Sequence, residues 1–500
     1  MKILNKIISI KIKNRIKLID HVVQQPIKYQ TEILKSNIKF SKNTLFGIQN
    51  NFKKITNYTD FKSLIPINNY ENLKPYIKLA QKGERNILWP KKVKWFAQSA
   101  GTTNNISKFI PITEESLQFC HFKSGKDMLA IYLKNYPNSK IFSGKSLMVG
   151  GSTNINTNQP YLSGDLSGII IKNLPIWVQL KRATSLRTTL LKNWEKKIQN
   201  IITETVQKNI TNISGVPSWT IIIISTLLQK MEVKCLRNIW PNLELYMHGG
   251  VDFNNYKQIF NGFFRERKPN YLELYNASEG FFGIQNEPDK NDLLLLVNQG
   301  VFYEFIAIKN GQERDDQIIP LQEVKLNVIY SMVISTNGGL WRYKIGDTIK
   351  FTSINPYKIK IIGRVQSFIN AFGEEVNEDH VNETIVYVTQ KTNSIIKEYI
   401  VAPFFFQDNS GCHEWIIEFE IPPENINIFK RLLDEKLQSI NSDYNAKRNQ
   451  NLLIKEPIIH VVKRNFFYQL LKEKDKVGGQ NKIQRLYNNR NFIELLIKRL

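Results

Sequence analysis

Residues 98–111 read Gln98-Ser99-Ala100-Gly101-Thr102-Thr103-Asn104-Asn105-Ile106-Ser107-Lys108-Phe109-Ile110-Pro111, directly after the strand-like run Lys92-Val93-Lys94-Trp95-Phe96. A strand that opens into a Ser/Gly/Thr turn with a lysine downstream is a phosphate-gripping pattern. Gly101 lets the backbone turn tightly and approach a ligand closely. The hydroxyls of Ser99, Thr102 and Thr103, together with backbone N–H groups, donate to phosphate oxygens, and Lys108 adds a positive charge. The Gly-Lys-Ser/Thr ending of a Walker loop is missing. Alone, the stretch also fits an ordinary polar turn, and two later segments change its weight.

The first of these is Tyr275-Asn276-Ala277-Ser278-Glu279-Gly280-Phe281-Phe282-Gly283, after the apolar run Tyr271–Tyr275. Ser278 offers a hydroxyl at the mouth of the turn, and Glu279 a carboxylate, the hard oxygen ligand that Mg²⁺ takes beside phosphates. A helix N-cap with an acidic first turn has the same local signature. The second is Leu340-Trp341-Arg342-Tyr343-Lys344-Ile345-Gly346-Asp347, which reads as a strand running into a turn. Asp347 there has the two oxygens that ribose hydroxyls need, although a plain Gly-Asp turn looks alike.

At 500 residues the chain exceeds the size at which one core stops growing, so at least two domains are expected. From about residue 92 to 360, short apolar runs such as Ser146–Val149, Leu243–Met247 and Leu293–Val297 alternate with helical segments, which is α/β organisation. Residues 1–60 read as helical and basic, Asp60–Tyr76 as connecting structure because of Pro66 and Pro75, and the apolar run Trp219–Leu228 as a buried element too short to span a membrane. The style changes near Gly363-Arg364. Beyond it come a hairpin around Gly373, a helix over Glu378–Thr392 capped by Asn377, strands over Tyr399–Phe406 and Trp415–Ile421, a helix from Ile426 and a strand over Ile458–Val462. This predicts a large domain over 1–363 and a small α+β domain over 364–500.

The net charge of +25 favours nucleic acid or an acidic surface in principle. The lysines are spread along the chain, however, and Ile, Lys and Asn recur even at solvent positions, the usage of an AT-rich coding sequence. No specific nucleic-acid partner is expected. Cys120, Cys235 and Cys412 lie too far apart for metal or redox spacing, which suits a reducing cytoplasm. No spanning segment or clean signal peptide is visible.

Taken in order, the three motifs resemble the adenylate-forming superfamily. More narrowly they are similar to the auxin-responsive-promoter (Gretchen Hagen 3) acyl acid amido synthetases and their bacterial relatives. Further matches are His248-Gly249-Gly250-Val251, Gly215-Val216-Pro217-Ser218-Trp219, Gly478-Gly479-Gln480-Asn481-Lys482, Pro26–Gln30 and Asn43–Gly47. The resemblance implies a large mixed α/β domain with a distorted β-barrel and a small mobile C-terminal lid. It implies ATP and Mg²⁺ as cofactors, and a carboxylic acid and an amino acid as substrates. By position, Ser99, Thr102, Thr103 and Lys108 are implied at the β- and γ-phosphates, Ser278 at the α-phosphate and Glu279 at the metal. Gly249, Gly250 and Val251 would wall the adenine and acyl pocket, Tyr275 would stack near adenine, and Asp347 would bind ribose. Arg364 would bridge ribose or phosphate from the hinge, and Lys482 would reach the α-phosphate and bridging oxygen. Ala100 stands where the family often has serine, Asn105 where it has glycine, and Trp341 where tyrosine is more usual. A thiol-acylating ligase and a charge-driven binding protein without catalysis are the competing readings. The sequence leaves the acid, the amine and the oligomeric state open.

Overall fold

The computed structural model describes residues 10–99, 108–150, 160–191, 193–251, 253–264, 267–309, 312–364, 368–473 and 485–500. These divide into two compact units. The larger takes the chain to residue 364, apart from residues 254–259, which group with the smaller.

Four short apolar runs in the larger unit, Lys145–Val149, Ile210–Gly215, Leu245–Gly249 and Asn270–Ala277, pair in parallel. Helices such as Trp194–Thr205 and Pro217–Lys230 make the crossovers that parallel pairing requires. The second of these contains Trp219–Leu228, so the apolar run is a buried helix. The sheet continues through Gly280–Ile284, Leu293–Leu295, Tyr357–Arg364, Tyr343–Ile354, Ile329–Thr336, Val301–Lys309 and Gln312–Pro320, all antiparallel, to eleven strands.

This sheet curls. Phe282 and Tyr303 lie on strands five places apart in the order, yet their ring centroids are 6.2 Å apart. In a flat sheet five steps span about 24 Å. The interior of the curl holds Phe282, Tyr303, Phe305, Tyr330 and Phe351 in one apolar cluster. The expected distorted barrel is thus a strongly curled sheet, whose two end strands do not pair with each other among the described residues.

The N-terminal helices are integral to this unit. Helix Pro26–Ser41 buries Gln30, whose amide donates to the Val297 and Val301 carbonyls (2.8 and 2.9 Å) and accepts from the Tyr303 N–H (2.8 Å). The segment Asp60–Tyr76, expected as connecting structure, is largely helical. Asn57 and Asn69 cap helices Tyr58–Leu64 and Tyr70–Gln81. Pro75 is carried inside the second helix because Tyr70, Leu73, Ile77 and Ala80 bury one of its faces, outweighing the backbone bond that proline forfeits.

The smaller unit has a three-stranded sheet, with Ile395–Phe405 antiparallel and Ile458–Val462 parallel to the central Gly411–Ile421. Asn377 caps helix Glu378–Thr392 in a reciprocal capping box with His380, and helix Ile426–Ile440 packs beside it. The Phe368–Ile369 and Val376–Asn377 hairpin is held from inside by Glu374, which accepts from the Phe372 N–H (2.7 Å) and pairs with buried His413 (2.9 Å).

One buried ion pair ties the curled sheet to the N-terminal helices. Arg342 has a left-handed backbone (φ 42°) and a fully enclosed guanidinium. It donates to both Glu304 oxygens (2.9 and 3.0 Å) and to the carbonyls of Ile65 (2.5 Å) and Lys62 (3.0 Å), while Tyr58 donates to Glu304 (2.9 Å). Burial pushes the Glu304 carboxyl up, and Arg342 pulls it back. Removing one partner leaves the other charge buried and unpaired, so Arg342→Met is expected to destabilise the large unit by about 3–5 kcal/mol. The double change Arg342→Met with Glu304→Gln should recover much of that loss in urea unfolding followed by tryptophan fluorescence. A single change no more harmful than the double one would contradict this account of the pair.

Candidate functional site

The C-terminal ends of the parallel strands are where an α/β sheet presents a ligand crevice, and here two of the four end in glycines that close contacts require. A Cβ on Gly249 would lie 2.3 Å from the Leu274 carbonyl oxygen, and one on Gly215 would lie 2.7 Å from the Val149 Cβ. Gly250 has φ +84°, so the chain leaves the strand in a conformation that side chains disfavour. Val251 follows, half-buried. Just before this turn, the His248 ring stacks on Phe253 at 3.9 Å. Gly249 is the cross-strand partner of Leu274, one residue before Tyr275.

Tyr275 reaches across the curl. Its hydroxyl donates to the Asp347 Oδ2 at 2.5 Å, and both groups are buried. The two strands are four places apart in the order, about 19 Å in a flat sheet. Asp347 does not sit in a turn after a strand, as its sequence suggests. It lies inside strand Tyr343–Ile354, where Gly346 (φ +86°) forms part of a bulge. Lys344 faces Val333 and Thr348 faces Ser331, so three residues stand against one. The extra length re-aims Asp347 toward Tyr275. On its other side Asp347 pairs with Arg364, the last residue of strand Tyr357–Arg364, whose side chain is outside the described residues.

Ser278 and Glu279 form the two-residue tip of a β-hairpin, with Ala277 opposite Gly280. The helix N-cap alternative is therefore excluded, because strand Gly280–Ile284 continues the ladder. Both tip residues are half-buried. Ser99 and Lys108 end the strands Trp95–Ser99 and Lys108–Ile112 as cross-strand partners. The expected strand over Lys92–Phe96 starts later, because Lys91 has φ +71° and turns the chain before pairing begins at Trp95. The Lys108 ammonium lies 5.9 Å from the Tyr70 ring centroid. Thr102, Thr103, Ala100, Asn105 and Lys482 lie outside the described residues.

The sheet thus brings Gly249, Gly250, Tyr275 and Asp347 together, with Ser278 and Glu279 at the tip of the hairpin that Tyr275 leads into. Among the described residues no three His, Cys, Asp or Glu side chains gather into a metal site. One carboxylate on a hairpin tip fits Mg²⁺, which is commonly held by one or two protein oxygens plus phosphates and water.

Residue-type patterns do not single out Cys120 and His121. They close a π-helical turn, Leu117–His121, inserted between Glu114–Ser116 and helix Phe122–Asn135. The Cys120 Sγ accepts from the Phe281 N–H (3.2 Å). Burial pushes the Cys120 thiol up to about 12 and the His121 imidazole down to about 4, the latter partly offset by the Asn276 side chain.

The chain superposes on 2-hydroxyisobutyryl-CoA ligase with TM-score 0.51 over 97% of its length and 92% of that chain, at 12% identity. The chain belongs to the GH3 family: the family's N-terminal domain matches residues 15–269, its central domain 294–364 and its C-terminal domain 379–491. A solved GH3.15 acyl acid amido synthetase superposes with TM-score 0.62, 15% identity and coverage of 97% of this chain and 96% of that one. Among curated relatives, the indole-3-acetic acid-amido synthetase GH3.3 of Arabidopsis thaliana is 21% identical over 96% of this chain and 92% of its own. The 4-substituted benzoates-glutamate ligase GH3.12 of the same plant is 21% identical, covering 82% and 84%.

His121 gives the site a pH signature. The unfolded chain takes up this proton near 6.5, whereas the folded protein takes it up only near about 4. Stability therefore falls as pH drops between those values, by about 3 kcal/mol at the acid end. His121→Gln should flatten this part of the stability–pH curve measured by urea unfolding. An unchanged acid limb would show that His121 is not buried as a neutral ring.

Proposed function

We propose that the chain activates a carboxylic acid with ATP and transfers the acyl group to an amino acid amine. In the first step a carboxylate oxygen attacks the α-phosphorus and pyrophosphate leaves. In the second the amine nitrogen attacks the acyl carbon, AMP leaves with the electron pair of the C–O bond, and the nitrogen loses a proton. The observation that carries this reading is the Tyr275–Asp347 hydrogen bond beside the Gly249-Gly250 turn. It supplies a flat ring and a fixed carboxylate next to a wall with no side chain, which suits a nucleoside. Membership of the GH3 family, whose named relatives join acids to amines, supports the choice of an amine acceptor.

The chemistry needs little from the protein beyond neutralising charge and aligning the attack. In this reading Tyr275 stacks near adenine, Asp347 accepts ribose hydroxyls, and Gly249, Gly250 and Val251 wall the adenine and acyl pocket. Ser278 donates to the α-phosphate. Glu279 would hold Mg²⁺, which when bound offsets phosphate charge. Ser99, Thr102, Thr103 and Lys108 serve the β- and γ-phosphates. Arg364 bridges ribose or phosphate, and Lys482 meets charge at the α-phosphate and the bridging oxygen. No helix among the described residues is long and apolar enough to cross a membrane. The three cysteines are free and buried, which suits the reducing cytoplasm proposed for this enzyme.

A panel of carboxylic acids should reveal at least one that drives ATP–pyrophosphate exchange, and an amino acid added to that acid should release AMP with an amide product. Glu279→Ala should lower exchange by about 100-fold or more at limiting Mg²⁺. Exchange followed by AMP release with coenzyme A but with no amine would replace the amide reading by thiol ligation. Undiminished exchange in Glu279→Ala would remove the metal role from that residue.

A further inference from the structure

The Ser278-Glu279 tip needs outside support. The ladder between its two strands slips register between Tyr275 and Asn276, so only Asn276 with Phe281 and Ala277 with Gly280 lie between the irregularity and the tip. One arm of the first pair is met by a neighbouring element. Cys120 accepts the Phe281 N–H through its sulfur at 3.2 Å.

Cys120 lies on a π-helical turn, a feature that recurs at functional sites. The turn is itself anchored at both ends. Thr113 caps the preceding helix and donates to the Asn337 carbonyl at 2.7 Å. On the other side the Lys123 ammonium donates to the Asn298 carbonyl. Asp127, one helical turn on, accepts from Arg15 (2.8 Å) and Gln299 (2.8 Å).

We propose that the π-helical turn Leu117–His121 is a positioning element for the hairpin tip, with Cys120 holding its Phe281 arm and thereby fixing where Glu279 presents its carboxylate. The consequence for metal binding rests on the role given to Glu279 above, whereas the grip itself does not. Cys120 is not a catalytic residue, because it acts through the hairpin backbone.

Two measurements separate the grip from its consequence. The first is amide hydrogen exchange of the ligand-free full-length protein over residues 276–284. Cys120→Ala should speed exchange of this segment about tenfold, while Cys120→Ser, which keeps a hydrogen-bonding atom, should restore most of the protection. Cys235→Ala, a buried cysteine elsewhere in the unit, should leave the segment unchanged. The second is the Mg²⁺ concentration giving half-maximal pyrophosphate exchange, which should rise about tenfold in Cys120→Ala with the KM for the acid unchanged. Unchanged hydrogen exchange overturns the proposal. Faster exchange with an unmoved Mg²⁺ midpoint overturns the positioning role, provided that Glu279→Ala does move that midpoint. If Glu279→Ala leaves it unmoved, the metal assignment fails, and the hydrogen-exchange result still decides the grip.

Discussion

The larger unit depends on a closure. A hydroxyl on one strand meets a carboxylate four strands away at 2.5 Å, through the Tyr275–Asp347 bond. Two buried polar groups must find each other, since each would otherwise remain desolvated without a partner. The eleven-stranded sheet therefore has to curl. That curl also makes the apolar interior, where Phe282 faces Tyr303. Core and site are thus two results of the same bend, one on its apolar face and one at its rim.

The bend is built from local irregularities. Gly346 and its three-against-one bulge lengthen strand Tyr343–Ile354 at the point where Asp347 must turn inward. Just upstream, the left-handed Arg342 locks that strand to Glu304 and to the carbonyls of Lys62 and Ile65, so the bulge has a fixed base. On the facing side, Gly249 lets its strand approach Leu274 closely enough to sit beside Tyr275. Such departures from regular geometry are destabilising unless their surroundings hold them, and they gather where function needs a particular aim.

Much of this was legible in the chain. Apolar runs such as Ser146–Val149 and Leu243–Met247 mark two of the parallel strands, and in the smaller unit Asn377 before Glu378, and the stretch Ile458–Val462, define a helix start and a strand on local grounds alone. What local pattern cannot decide is what lies opposite. Ser278-Glu279 has the signature of a helix cap and of a hairpin tip, and only pairing with Gly280–Ile284 chooses between them. Gly346-Asp347 reads as a turn until Ile329–Thr336 supplies a strand to bulge against. Pro75 reads as a break, yet the buried face of its helix overrides it. Cys120 carries no motif, because its meaning comes from a π-helical turn and from a contact about 160 residues away in sequence.

The central claim is that Tyr275 and Asp347 act on the nucleotide as one unit because the curl joins them. A double-mutant cycle on ATP binding, measured by calorimetry on wild type, Tyr275→Phe, Asp347→Asn and the double variant, tests it directly. The account predicts that both single changes weaken binding and that their effects are not additive, with a coupling of about 1 kcal/mol or more. Strict additivity, or ATP binding indifferent to both changes, would contradict it.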